Sequence, residues 1–186
     1  MDTKFGKLNI KNLAVLAILT ALAYVATLLI RIPLFPAAPF LTYDPKDVFI
    51  IIGGFLYGPL AVIPMSAAVS IFEMPLSGTG PVGLLMNILS TCSFAAAAAF
   101  VYAKKRTIGG AVAGLALGVA LMIAVMLLWN YIVTPVYMKV PREIVAGMLL
   151  PVFLPFNLIK GIYNAALTML VYKRVSVIIR KLRPTP

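Results

Sequence analysis

The chain has 186 residues, 62% of them hydrophobic, and its mean hydropathy is +1.05, far above the globular range. That composition excludes a soluble enzyme and places the chain in a membrane, and its length allows one domain over residues 1–186. The net charge is +11, but Lys and Arg gather at the ends of apolar runs. That is the pattern of topological anchors and anionic-lipid contacts, not of a basic face for nucleic acid. With no His and one Cys, the chain has no zinc set and no internal disulfide; Cys92 reads as a small packing residue.

The first apolar run follows Lys4, Lys7 and Lys11 and ends at Arg31 and Pro33 without a small-residue cleavage pattern, so it reads as a retained span, Leu13–Ile30. Its Ala17-xxx-Ala21 spacing is a small-residue stripe that lets another helix approach closely, either within the chain or on a partner. The Pro-rich loop RIPLFPAAPFLTYDPKD comes next. In it Asp44-Pro45 has the form of a helix start, Asp as cap and Pro at the first helical position. Phe40 and Tyr43 are placed to cover a planar ring.

The apolar stretch Val48–Met74 is too long for one straight span and short for two full ones. Two short helices joined at Gly58-Pro59 fit it best. The loop MPLSGTGPVG has glycines that permit close backbone approach to a ligand, but it lacks the GK[ST] ending of a phosphate loop. Spans at Val82–Ala103 and Ile108–Val133 follow, the first closed by Lys104-Lys105-Arg106. A loop carrying Pro135, Pro141, Pro151 and Pro155 leads to the last span, Phe156–Ile178. Each full span has roughly the 20 apolar residues that a bilayer core requires.

The expected fold is an all-α membrane protein, a bundle of six transmembrane helices. With the N-terminus inside, the inner face carries Lys4, Lys7, Lys11, Lys104, Lys105, Arg106, Lys173, Arg174, Arg180, Lys181 and Arg183. Only Arg31, Lys46, Lys139 and Arg142 fall outside, which satisfies the positive-inside rule.

Polar side chains inside the spans are the sharpest signal. Lys160 lies in LPFNLIKGIYNAALTMLVY, where a charge is costly unless it faces protein, a cavity or a ligand. Asn157, three residues earlier, shares its helix face. Under the six-span topology Asn87, Asn130, Asn157 and Lys160 all lie toward the outer ends of their spans, so they can converge on one outward-facing pocket. Asn164 lies a turn deeper and reads as packing. Glu73 is the one carboxylate at a suitable depth to neutralise Lys160. Trp129 and Tyr131 flank Asn130 as interfacial belt residues or as a stacking surface. No acid pair or nucleophile–base set stands out, so the chain is not read as an enzyme.

LTYDPKD, GGFLYGP, GTGPVGLLMN and NLIKG, in this order and spacing, resemble the substrate-binding S components of energy-coupling factor (ECF) vitamin transporters, most of all the riboflavin-specific ones. The resemblance covers nearly the whole chain. It implies six helices with both termini cytoplasmic, in the plasma membrane of a prokaryote. It also implies riboflavin bound near the outside as transported substrate, with no resident cofactor and no metal. By the same resemblance Asn130, Asn157 and Lys160 bond the isoalloxazine ring, while Asn87, Thr42, Tyr43 and Asp44 line the site. Ala17 and Ala21 face the transmembrane coupling subunit, which works with two ATP-binding subunits. An S component for thiamin or a folate, and a stand-alone carrier, are the rival readings.

Overall fold

In hydrocarbon an unpaired backbone N–H or C=O is costly, and a helix pairs nearly all of its own, so the apolar runs fold as helices. The computed structural model describes residues 10–36 and 38–181, with side chains as far as Tyr172; the anchoring residues Lys4, Lys7 and Arg183 lie outside the described residues. α1 (Ile10–Leu29) leads into a short antiparallel ribbon, β1 (Ile32–Pro33) against β2 (Thr42–Tyr43). α2 (Lys46–Tyr57), α3 (Pro59–Ser77), α4 (Gly80–Lys104) and α5 (Ile108–Met138) follow. α6 (Arg142–Met148), a π-helical turn (Leu149–Phe153) and α7 (Leu154–Lys181) complete the described chain.

Among the described residues, five segments are long and apolar enough to cross a membrane: α1, α3, α4, α5 and the stretch Arg142–Tyr172. α2 has 12 residues. At 1.5 Å per residue it is about 18 Å long, short of a hydrocarbon core of roughly 30 Å.

The break expected at Gly58-Pro59 is present. Gly58 has φ 93°, a left-handed value that a side chain disfavours, and Pro59 opens α3 with the φ a first helical turn needs. The second helix is longer than expected, because α3 continues through Pro64 and Pro75 to Ser77. The GTG loop shrinks accordingly to a turn at Gly78 (φ 66°) and Thr79 before α4 begins at Gly80.

The Pro-rich loop expected after residue 133 is instead mostly helical. α5 runs past Pro135 and stops at Lys139, which adopts the left-handed conformation while its N–H bonds the Pro135 carbonyl. Pro141 precedes α6, and Pro155, which has no N–H for the Pro151 carbonyl, is the second residue of α7, just past the widened π turn. Pro141 and Pro155 thus mark helix starts, whereas Pro135 and Pro151 lie within α5 and the π turn.

Two apolar clusters hold the molecule. The larger joins α1–α5 and α7 around Ile50, Ile51, Val62, Phe94, Ala95, Met122 and Met126. The smaller lies at the end of the bundle that carries the ribbon. There Ala38 and Leu41 of the first loop pack on Val145 of α6, Val152 and Phe153 of the π turn, and Phe156 of α7. α1 turns Leu16, Ala23 and Thr27 inward, so Ala17 and Ala21 are exposed, and the small-residue stripe is not buried among the described residues. α3, α4, α5 and α7 also expose Leu, Ile or Phe along their outer faces, as lipid contact requires.

Candidate functional site

Between the two clusters lies a small cavity of about 30 Å³. α4 contributes Asn87, α5 Asn130, α7 Asn157 and Lys160, and β2 Thr42, so five of the expected site residues meet around one space. Tyr43 and Asp44 do not line it. Successive strand residues point to opposite faces: Thr42 turns to the cavity, whereas the Tyr43 hydroxyl donates to Asn164 Oδ1 at 3.2 Å and its ring meets Tyr163 edge-on.

The polar groups are partly committed before any ligand arrives. Asn157 Nδ2 donates to the Phe153 carbonyl at 2.7 Å, tying its amide to the π turn. Asn130 Nδ2 donates to the Met126 carbonyl at 2.7 Å, and its Oδ1 accepts from Thr134 at 2.8 Å. An amide NH₂ has two protons and an ammonium three. Each Asn therefore keeps one N–H, and Lys160, which gives one proton to Asp44 Oδ2 at 3.1 Å, keeps two.

That ion pair corrects the expectation for Lys160. Its counter-ion is Asp44 of the first loop, not Glu73. Glu73 is held by Lys46, with Arg31 at 3.8 Å from its other oxygen. Lys46, expected among the outer anchoring charges, is 1% exposed and also lies 3.6 Å from Asp44. Of the chain's five acidic residues, Asp44, Asp47 and Glu73 are all buried behind the cavity. Burial pushes the Asp44 carboxyl up, but Lys160 and Lys46 more than reverse this and leave it below the usual carboxylate range.

Asp44 only partly fills the capping role. α2 begins one residue later than expected, at Lys46, and Asp44 Oδ1 accepts that residue's N–H at 3.3 Å while its other oxygen meets Lys160. Asn164 clamps this arrangement. Its Nδ2 donates to the Asp44 carbonyl and to Asp47 Oδ2, at 3.3 and 3.1 Å, and Thr91 donates to the other Asp47 oxygen at 2.7 Å. The packing role expected for Asn164 is thus polar: it fastens α7 to the first loop and α2.

Sequence reasoning missed Arg31, Thr79 and Ser90 on the cavity wall. Thr79 is brought there by the glycine turn: a Cβ on Gly83 would collide with the Thr79 hydroxyl, so only glycine fits at that position. The apolar walls include Phe40, Met86, Met126 and Phe156. Trp129 packs on the main cluster, and Tyr131 lies under the Arg142 guanidinium, 5.4 Å from ring centre to charge; neither lines the cavity.

The family model for the substrate-specific component of ECF transporters matches residues 11–172. The chain belongs to that family. It is a transporter component, not an enzyme, and a membrane protein. Among similar proteins, the riboflavin transporter RibU of Staphylococcus aureus (strain TCH60) is 31% identical over 190 residues, covering 95% of this chain and 97% of the relative. The riboflavin transporter FmnP of Bacillus subtilis (strain 168) is 31% identical over 181 residues, covering 89% and 92%. A solved S component of a bacterial ECF transporter superposes with a TM-score of 0.78 at 30% identity, covering 91% of this chain and 97% of that one.

Proposed function

We propose that this S component captures riboflavin from outside a prokaryotic cell and delivers it for ATP-driven uptake. The observation that carries the reading is the convergence of Asn87, Asn130, Asn157, Lys160 and Thr42 on one cavity with apolar and aromatic walls. The pyrimidine edge of an isoalloxazine alternates carbonyl acceptors with an N–H donor. The uncommitted N–H groups of Asn130, Asn157 and Lys160 supply donors for its carbonyls, and the Asn157 oxygen supplies an acceptor for its N–H. A buried ring group left without its partner costs roughly 1–3 kcal/mol, so this edge distinguishes flavins from rings of other pattern. Riboflavin is cargo here, and no resident cofactor is needed.

In this reading the protein is one multi-pass domain, with α2 as a sixth, shortened span covered at its outer end by the first loop. Both termini are cytoplasmic, which the basic clusters around Lys104–Arg106 and the C-terminal tail favour. The exposed Ala17 and Ala21 face the transmembrane coupling subunit, which acts with two ATP-binding subunits.

The test is titration of purified, ligand-free protein with riboflavin, followed by quenching of flavin fluorescence. Saturable binding of one flavin per chain is expected. Absence of quenching, with binding of thiamin or a folate instead, overturns the choice of vitamin and leaves the S-component assignment standing.

A further inference from the structure

Behind the cavity, two ammonium groups approach one oxygen. Lys160 Nζ lies 3.1 Å from Asp44 Oδ2, and Lys46 Nζ lies 3.6 Å from the same atom. Lys46 is drawn the other way by Glu73, with which it forms a direct hydrogen bond. Of these four residues only Lys160 lines the cavity. Lys46, Asp44 and Glu73 are each no more than 2% exposed, so water screens little of their mutual attraction.

We infer that Lys46 is a positioning residue for the ligand: by sharing Asp44 Oδ2 with Lys160, it limits how firmly Asp44 holds the Lys160 ammonium and keeps that group available to the cavity. Glu73 sets the strength of this competition from behind, because each increment of Lys46 taken by Glu73 is withdrawn from Asp44. The inference rests on the proposed riboflavin site, and its chemistry is general. A cation shared between a carboxylate and a ligand binds the ligand more weakly when the carboxylate has no other counter-ion.

The geometry predicts opposite signs for two neighbouring substitutions. In Lys46→Met, Asp44 is left with Lys160 alone, the ammonium is drawn back, and riboflavin binding should weaken at least fivefold. In Glu73→Gln, Lys46 is released toward Asp44, Lys160 is freed, and binding should be as tight as wild type or tighter. Both changes unbalance the buried charge and both should lower the melting temperature. A role in folding alone would therefore shift the two affinities in the same direction.

The experiment is riboflavin titration and thermal melting of Lys46→Met, Glu73→Gln, Lys46→Arg and the double variant Lys46→Met/Glu73→Gln, all in detergent and all beside wild type. The double variant removes one charge of each sign, so it supplies folded protein without Lys46 if the single variant fails to fold. It should regain melting temperature yet remain at least fivefold weaker for riboflavin, and Lys46→Arg should bind within threefold of wild type. Wild-type affinity in the double variant, or weakening of similar size in Lys46→Met and Glu73→Gln, overturns the inference. Failure of wild type itself to bind riboflavin overturns the functional reading instead.

Discussion

The two halves of the bundle bury opposite chemistry. Around the cavity, Asp44, Lys46, Asp47, Glu73, Asn130, Asn157, Lys160 and Asn164 are all at most 4% exposed. At the far end, α4 and α5 meet through Phe94, Ala98, Gly114 and Gly118, and Phe55, Tyr102 and Tyr172 form one aromatic knot. Phe55 stacks on Tyr102 at 4.3 Å, and the two tyrosine hydroxyls bond at 3.0 Å. The difference divides the labour. The close-packed half supplies a rigid base, since small residues let backbones touch and leave no slack. The polar half keeps an open cavity whose donors are held in place from behind by their own helices and by ion pairs.

The largest effect should come from breaking the base. A Cβ on Gly118 would lie 2.5 Å from the Phe94 carbonyl oxygen, a backbone atom with little freedom to move. Gly118→Leu should cost about 3 kcal/mol or more by overpacking. The expected result is loss of most folded, monodisperse protein in size-exclusion chromatography. Protein that folds normally but binds riboflavin poorly would mean that the two halves are not separate in the way described.

The second effect belongs to the polar half. Lys160→Ala and Asn157→Ala should each weaken riboflavin binding at least tenfold, about 1.4 kcal/mol, while leaving folded protein to titrate. Asn157→Ala frees the Phe153 carbonyl of a side-chain partner but spares its helix bonds, so its melting temperature should change less. Lys160→Ala leaves Asp44 with Lys46, so the carboxylate is not stranded. Unchanged affinity in both variants would remove these residues from the site.

What could be read in advance follows the same division. Asn157 and Lys160 stood out because a polar atom inside an apolar run is costly, and that cost is visible in one dimension. Lys46 sat near the end of a run, where charge is routine, so its burial was invisible, and Glu73 stood out by depth but was given the wrong partner. The Asp44–Lys160 pair joins residues 116 positions apart, and no local pattern encodes such a contact. The Gly58-Pro59 joint was legible, since glycine permits the left-handed turn and proline favours a helix start. The prolines after residue 133 misled in the other direction. Four of them in one stretch suggest a loop, but proline is tolerated at helix ends and beside widened turns, where α6 and the π turn use it.

The smallest effect on the purified protein should come from a third surface that belongs to neither half. Ala17 and Ala21 project from α1 away from the bundle, and the residues α1 buries are Leu16, Ala23 and Thr27. Ala17→Trp or Ala21→Trp adds bulk at positions exposed among the described residues, so melting temperature and riboflavin affinity should stay within error of wild type. A close-packing partner helix would meet that bulk directly. Uptake of labelled riboflavin by cells expressing the variant with its coupling and ATP-binding subunits should then fall to background. Normal uptake would show that docking uses another face of the bundle, whereas lost binding would show that α1 supports the cavity more directly than its exposed stripe implies.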